Sequence, residues 1–330
     1  MIATIDIIFF PYILIKCFGP SFWNKFETYI FYLTLISIPL FLLNILFTNF
    51  FDSLSGYFNS ITTQSLAANP NYWSSFFYVN AFIDNGYGIR RNCGFMWEPG
   101  GFALIIIFGM ILNWLKNGVN IDKRSVVYTL ALITTFSTAG YLALFFLVIA
   151  IYIKKITLVN SLIVLSFFGI FGASIYNLGF MSDKINTNIE AYNENESKDS
   201  ETKVNRLLGA KNAILRTFRY PTGKGLLSGQ DTDLLKTDLK DGTNGLGSLL
   251  ETWGFFVFPF LLYLIYKFMK IYNYANLKRP TIVIFFIAFL IMLFSNPISM
   301  AVFLYIIIIN ALVFPFKKPA DDEKIAVRVS

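Results

Sequence analysis

The sequence predicts an all-α polytopic membrane protein with about nine transmembrane helices, and three observations predict it. Only 14% of the 330 residues are charged and 55% are hydrophobic, whereas a soluble domain carries about 25% charged residues. Apolar runs approaching the ~20 residues that cross a bilayer as helix recur along the chain. Lysine and arginine gather in the short connections between those runs, as they do on the cytoplasmic side of membrane proteins.

The runs lie near residues 2–17, 28–51, 101–115, 126–136, 141–153, 157–177, 248–272, 281–295 and 298–314. The first lacks a basic leader and a small-residue cleavage site, so it reads as a retained helix. Lys16, Lys25, Lys116, Lys123, Arg124, Lys154, Lys155, Lys267, Lys270, Lys278, Arg279, Lys317 and Lys318 mark the cytoplasmic side. Two long loops, 52–100 and 178–247, then fall outside, within a single membrane domain spanning 1–330. Nine crossings with the C-terminus inside put the N-terminus outside, an unusual arrangement that points to an N-terminal helix that is missing or miscalled.

Keeping both Lys123-Arg124 and Lys154-Lys155 inside requires residues 125–153 to form two short helices, joined at Ser137-Thr138-Ala139-Gly140. The turn would then be recessed, where polar backbone persists only if buried in protein or lining a watery cavity. The alternative is one tilted helix with a Ser/Thr kink.

Composition also excludes. The chain has no histidine, which removes the commonest general base and zinc ligand. Cys17 ends an apolar run and Cys93 sits in a polar loop, so no disulfide is expected. The net charge of +7 comes without an RNA-binding motif or basic groove, which argues against nucleic acid as partner.

Chemistry-bearing residues fall in three places. Arg90 and Arg91 precede Glu98-Pro99, where Pro99 can open a helix and Glu98 would sit at its positive end. Paired arginines there could hold a phosphate, or the segment could simply anchor at the interface. In the second loop, 203–219 reads as a basic amphipathic helix with Val204, Leu207, Leu208, Ile214, Leu215 and Phe218 on one face. Lys203, Arg206, Lys211, Arg216, Arg219 and Lys224 supply positive charge suited to anionic lipid headgroups, specific or not. Thr243-Asn244-Gly245 leads into a helix carrying Glu251, an acidic residue at membrane depth or a capping one. Asp6 is a weaker case of the same kind. Residues 186–200 are polar and acidic, and no internal repeat is present. No metal site and no cofactor are expected from these residues.

In order, these segments resemble the O-antigen polymerase/ligase superfamily over about residues 85–300. Arg91, Gly94, Glu98, Pro99, Phe102 and Ala103 are similar to the Arg–Gly…Glu–Pro segment of the polymerase branch. Residues 137–142 are similar to a Thr-x-Ser-Arg-x-x-Leu turn, lacking its arginine, for which Arg90 could substitute. Asn205-Arg206, Pro221-x-Gly223-x-Gly225, Asn244 and Trp253-Gly254 follow the pattern of the large outer loop.

The resemblance implies a fold of the GT-C-like kind, in a bacterial inner membrane with a periplasmic active face. The implied activity is metal-independent, inverting polymerisation of undecaprenyl-diphosphate-linked oligosaccharides into O-antigen, capsule or exopolysaccharide. A chain-length regulator and membrane lipid are implied partners. Arg90, Arg91, Arg206, Arg216, Arg219, Lys224 and Asn244 would bind the diphosphate and sugar. Glu98 would be the base, with Glu251 in reserve. Thr243 stands where the ligase branch has a histidine, which favours polymerase over ligase. A ligase-type transferase and a lipid-linked sugar flippase are the alternatives.

Overall fold

The computed structural model describes residues 2–61, 73–74, 78–80, 90–152, 166, 186, 206–225, 244–296 and 302–314. It is predominantly helical. In chain order the helices are α1 (Ile2–Phe18), α2 (Phe22–Leu46), α3 (Thr48–Ile61), α4 (Pro99–Asn117), α5 (Lys123–Thr134), α6 (Thr138–Tyr152), α7 (Arg206–Arg219), α8 (Gly245–Ile271), α9 (Arg279–Ser295) and α10 (Val302–Val313). Three of these, α2, α4 and α8, are long and apolar enough to cross a membrane. Parts of α1, α6, α9 and α10 are apolar but shorter.

Eight of the nine apolar runs coincide with these helices, and run 157–177, residue 166 apart, lies outside the described residues. Helix also extends beyond the second run. α2 breaks at Phe47, and α3 continues to Ile61, inside what reads as the first outer loop. That loop also carries a two-residue antiparallel ladder, β1 (Trp73–Ser74) with β2 (Val79–Asn80), in the register Trp73 opposite Asn80.

Helix α4 is the axis of the bundle. Phe102 to Leu115 is buried all round, because α2, α5, α6 and α9 pack against it. Phe108 sits at its middle, with ring centroids 5.7 Å from Trp23, 5.2 Å from Phe289 and 4.9 Å from Phe303. Where lipid replaces water, such close packing supplies the association energy that the hydrophobic effect would supply in a soluble core.

The helices alternate in direction. One end of the bundle gathers the start of α2, the end of α4, the starts of α5 and α9, and the end of α8. There the Ala275 N–H donates to the Leu115 carbonyl at 3.0 Å, and Arg124 pairs with the buried Glu27. Asp122 caps α5, its carboxylate accepting from the Ser125 N–H at 2.9 Å and the Asn113 amide at 3.0 Å. Among the described residues, Lys25, Lys116, Lys123, Arg124, Lys270, Lys278 and Arg279 therefore share this end. A cavity of about 10 Å³, room for about one water, lies here between Trp23, Glu27, Lys116 and Tyr272. It is too small for a sugar and stands at the opposite end of α4 from Glu98.

The interval 125–153 is two helices. At 12 and 15 residues, α5 and α6 are about 18 and 22 Å long. The break falls at Thr135-Phe136-Ser137, with Phe136 at φ +47°; it begins two residues before the expected joint and shares Ser137 with it. Thr138, Ala139 and Gly140 already belong to the first turn of α6. The Tyr141 hydroxyl reaches back to donate to the Ile133 carbonyl at 2.7 Å, which fastens the two arms together.

Helix α8 is interrupted at Gly254, whose φ of +71° and ψ of 177° are not helical. The Pro221–Gly225 turn lies on this kink. The Phe255 N–H donates to the Pro221 carbonyl, and the Lys224 and Gly225 N–H groups donate to the carbonyls of Glu251 and Thr252. A Cβ on Gly254 would stand 2.3 Å from the Pro221 oxygen, and one on Gly223 would stand 2.4 Å from the Thr252 oxygen. Backbone contact thus explains Gly223 of the Pro-x-Gly-x-Gly spacing, whereas Gly225 is explained by its positive φ of +77°. Gly254→Ala should lower stability by about 2 kcal/mol or more, through strain and overpacking together, read as an earlier thermal transition in detergent.

Candidate functional site

At the other end of the bundle, Glu98, Arg91 and Arg206 come together from three stretches of chain. Glu98 is the N-cap of α4 with Pro99 at the first helical position, but its carboxylate makes no capping hydrogen bond. Its Oε1 is buried and has no hydrogen-bond partner among the described residues. The carboxylate is therefore not spent on the helix end.

Arg91 has a defined structural task. Its Nε and Nη2 each donate at 2.9 Å, to the Thr135 and Phe136 carbonyls in the α5–α6 turn. The neighbouring Asn92 side chain and N–H bond Thr134. Arg91, from the preceding loop, thus supplies a guanidinium to this turn. Arg90, the expected substitute, engages a different set: Asp52 at 2.6 Å and Asn44 at 2.8 Å, on α3 and α2. It ties the first loop to those helices, and the structure does not bring it together with Glu98.

Arg206 opens α7 and donates to the Ser295 hydroxyl at 2.6 Å, at the end of α9. Burial lowers the proton affinity of both guanidinium groups. Glu98 raises it in both, and Arg206 also lowers it in Arg91. The three side chains are therefore within electrostatic reach of one another, two cations and one anion in a partly desolvated place. Such a cluster carries an excess positive charge that a bound anion would neutralise.

Of the other residues of the sequence reading, Asn244 touches Arg206, while Arg216, Arg219, Lys224 and Glu251 lie farther along α7, its following turn and α8. Asn244 caps α8, accepting from the Gly247 N–H at 2.9 Å, while its amide donates to the Arg206 carbonyl at 3.2 Å. Both ends of its side chain help to hold α7 against α8. Glu251 stands two turns along α8 between Arg216 at 3.5 Å and Lys224 at 3.4 Å. Arg216 and Lys224 are thus engaged with a carboxylate, and Glu251 with two cations.

Arg219 is exposed at the end of α7. The helix itself is turned as an interfacial helix would be. Ala213, Arg216 and Thr217 are buried against the protein, whereas Ile214, Leu215 and Phe218 point outward, the last 68% exposed. Val204 and Lys203 lie outside the described residues.

No family model, curated protein or solved structure matches this chain. Among the described residues, Arg91 uses two of its five N–H donors on the turn, and Arg206 makes one side-chain bond. Two guanidinium groups beside one carboxylate can grip an anion and accept a proton next to it.

Sequence reasoning missed Ser295, Asn296 and Gly100. Ser295 and Asn296 form part of a polar break, Ser-Asn-Pro, between two apolar runs, and that interruption was the available signal. Asn296 is fully buried.

Cys93 reports on the loop. Burial, the largest cause, pushes its thiol up to about 12. At pH 8 roughly one part in ten thousand would be thiolate, so in a Cys17→Ser background maleimide should scarcely label it. Arg91→Lys cannot span two carbonyls and should loosen the loop. Labelling of Cys93 at pH 8 should then appear.

Proposed function

We propose that this protein polymerises undecaprenyl-diphosphate-linked oligosaccharide repeat units at the outer face of a bacterial cytoplasmic membrane. The observation that carries the reading is the convergence of Arg91, Glu98 and Arg206 at the end of the bundle opposite the basic connections. By the positive-inside rule that end is extracytoplasmic, and the chain crosses the bilayer about nine times. The outward apolar face of α7 agrees with a helix lying in the outer interface, where a lipid-linked substrate presents its diphosphate.

In this mechanism Arg91 and Arg206 bind the diphosphate of the donor, which carries the growing glycan. The acceptor hydroxyl oxygen attacks the anomeric carbon from the face opposite the diphosphate. The carbon–oxygen bond to the diphosphate breaks, and its electron pair leaves with the lipid diphosphate. Glu98 takes the proton of the attacking hydroxyl. The developing charge falls beside two fixed guanidinium groups that need little reorganisation, which is the most effective form of electrostatic stabilisation. The anomeric configuration inverts because attack and departure are on opposite faces.

The test is polymer-ladder formation by purified protein supplied with lipid-linked repeat units. Arg206→Ala and Arg91→Ala should each slow it by roughly a hundredfold or more, the scale of losing one such stabilising donor. A ladder that persists at near wild-type rate in both variants would overturn the assignment. In a deletion strain, surface glycan should fall to single repeats. Accumulation of full-length lipid-linked polymer would instead indicate a ligase.

A further inference from the structure

Helix α7 has two sides, and only one of them faces the rest of the protein. At about 100° per residue, Asn212, Ala213, Arg216 and Thr217 fall on one arc, and all are buried. Lys211, Ile214, Leu215, Phe218 and Arg219 fall on the opposite arc, and all are exposed. Arg219 stands about 20 Å along the axis from Arg206 and about 140° around it, so the outer cations are not part of the arginine cluster.

The helix also has a direction. Asn244 clips its start to the start of α8, and its end lies beside Phe255, with the Phe218 and Phe255 rings 5.0 Å apart. α7 therefore descends with α8 toward the apolar stretch that follows the Gly254 kink. In that stretch Phe256, Val257 and Phe260 are exposed, Phe256 by 75%, on a helix long and apolar enough to cross a membrane. Phe218 adjoins this surface and carries it onto α7, where Ile214 and Leu215 follow one turn back. Lys211 lies about 10 Å nearer the start of the helix than Phe218, farther from the apolar stretch.

Charge selects what covers this face. A second copy packed two-fold on it would set Lys211 and Arg219 against their own counterparts, like charge on like. A leaflet containing anionic phospholipid offers acyl chains to the apolar residues and phosphate to the cations.

We propose that the outward side of α7 is an anionic-phospholipid site, in which Ile214, Leu215 and Phe218 enter the acyl boundary while Lys211 and Arg219 hold headgroup phosphate. Arg219 reaches the phosphate by snorkelling, its stem along the apolar residues and its guanidinium at headgroup level. The inner side of the same helix carries Arg206, bonded to Ser295, so the lipid seats the helix that delivers this arginine. The inference goes beyond the polymerase reading, because it requires a membrane and not the reaction.

The experiment uses full-length Leu215→Cys protein in a Cys17→Ser background, carrying a nitrobenzoxadiazole fluorophore between Lys211 and Arg219. It is reconstituted in vesicles of phosphatidylcholine and phosphatidylglycerol, in which one lipid or the other bears a doxyl quencher near the headgroup end of its chain. The fluorophore should be shielded from aqueous iodide. Doxyl-phosphatidylglycerol should be preferred over doxyl-phosphatidylcholine by roughly fivefold or more, the scale set by one basic residue at an anionic surface. Joint Lys211→Gln and Arg219→Gln substitution should bring the preference close to one while shielding from iodide persists. Sodium chloride at about 1 M, where the screening length falls to about 3 Å, should do the same without either substitution. Added undecaprenyl diphosphate should leave the preference unchanged.

Equal quenching by both lipids at low salt, or free access of iodide, overturns the site. Shielding from iodide without quenching by either lipid also overturns it, and means that protein covers the face. Loss of the preference on adding undecaprenyl diphosphate overturns it by giving the two cations to the substrate. The ladder assay with Arg206→Ala tests the polymerase reading separately, so each can fail without the other.

Discussion

The bond between the Arg91 guanidinium and the carbonyls of Thr135 and Phe136 is the constraint on which the rest of this architecture depends. Two helices too short to cross a bilayer meet at a turn whose carbonyls have no helical partners. At membrane depth such groups need donors from within the protein. A guanidinium gives two in a fixed fork, but it brings a charge that must also be accommodated. Glu98 lies within reach of that charge, and Arg206 adds a second cation to the same place. The device that closes the turn thereby creates an anion-seeking cluster.

Arg206 reaches this cluster because a second device fixes α7. Asn244 clips its start to α8, and Gly247 allows Ala213 to approach closely. Glu251 draws in Arg216 and Lys224, and the Pro221–Gly225 turn rests on the Gly254 kink. The ion cluster and the glycine contact hold the helix along the first part of α8. Its apolar side is left facing outward, where lipid would cover it. Structural and chemical roles are thus divided between two sets of basic residues that the linear sequence presents as one run.

Much of the fold was legible because bilayer solvation imposes a simple pattern. Apolar length and basic connections located α1, α2, α4, α5, α6 and α8–α10, and Pro99 marked the start of α4. What escaped was set by tertiary contact. The α5–α6 break begins two residues earlier because the left-handed residue is Phe136, a position no composition rule selects. α3 follows α2 almost directly, since the polar residues after Phe47 are compatible with helix once Asn44, Asp52 and Arg90 bond one another. In the site, residue types pointed to Arg91, Glu98 and Arg206. They could not separate these from Arg90, Arg216, Lys224 and Glu251, because charge alone does not say which partner is nearest. Asn296 was missed because a single buried amide carries no periodic signal.

The central claim, that Arg91 and Arg206 share one diphosphate beside Glu98, is tested most directly by cryo-electron microscopy of the protein in nanodiscs with undecaprenyl diphosphate. The account predicts diphosphate density bridging the two guanidinium groups, with the Glu98 carboxylate next to it and the lipid tail leaving toward the bilayer. Density for the diphosphate elsewhere, or the two guanidinium groups held apart on different faces, would contradict it.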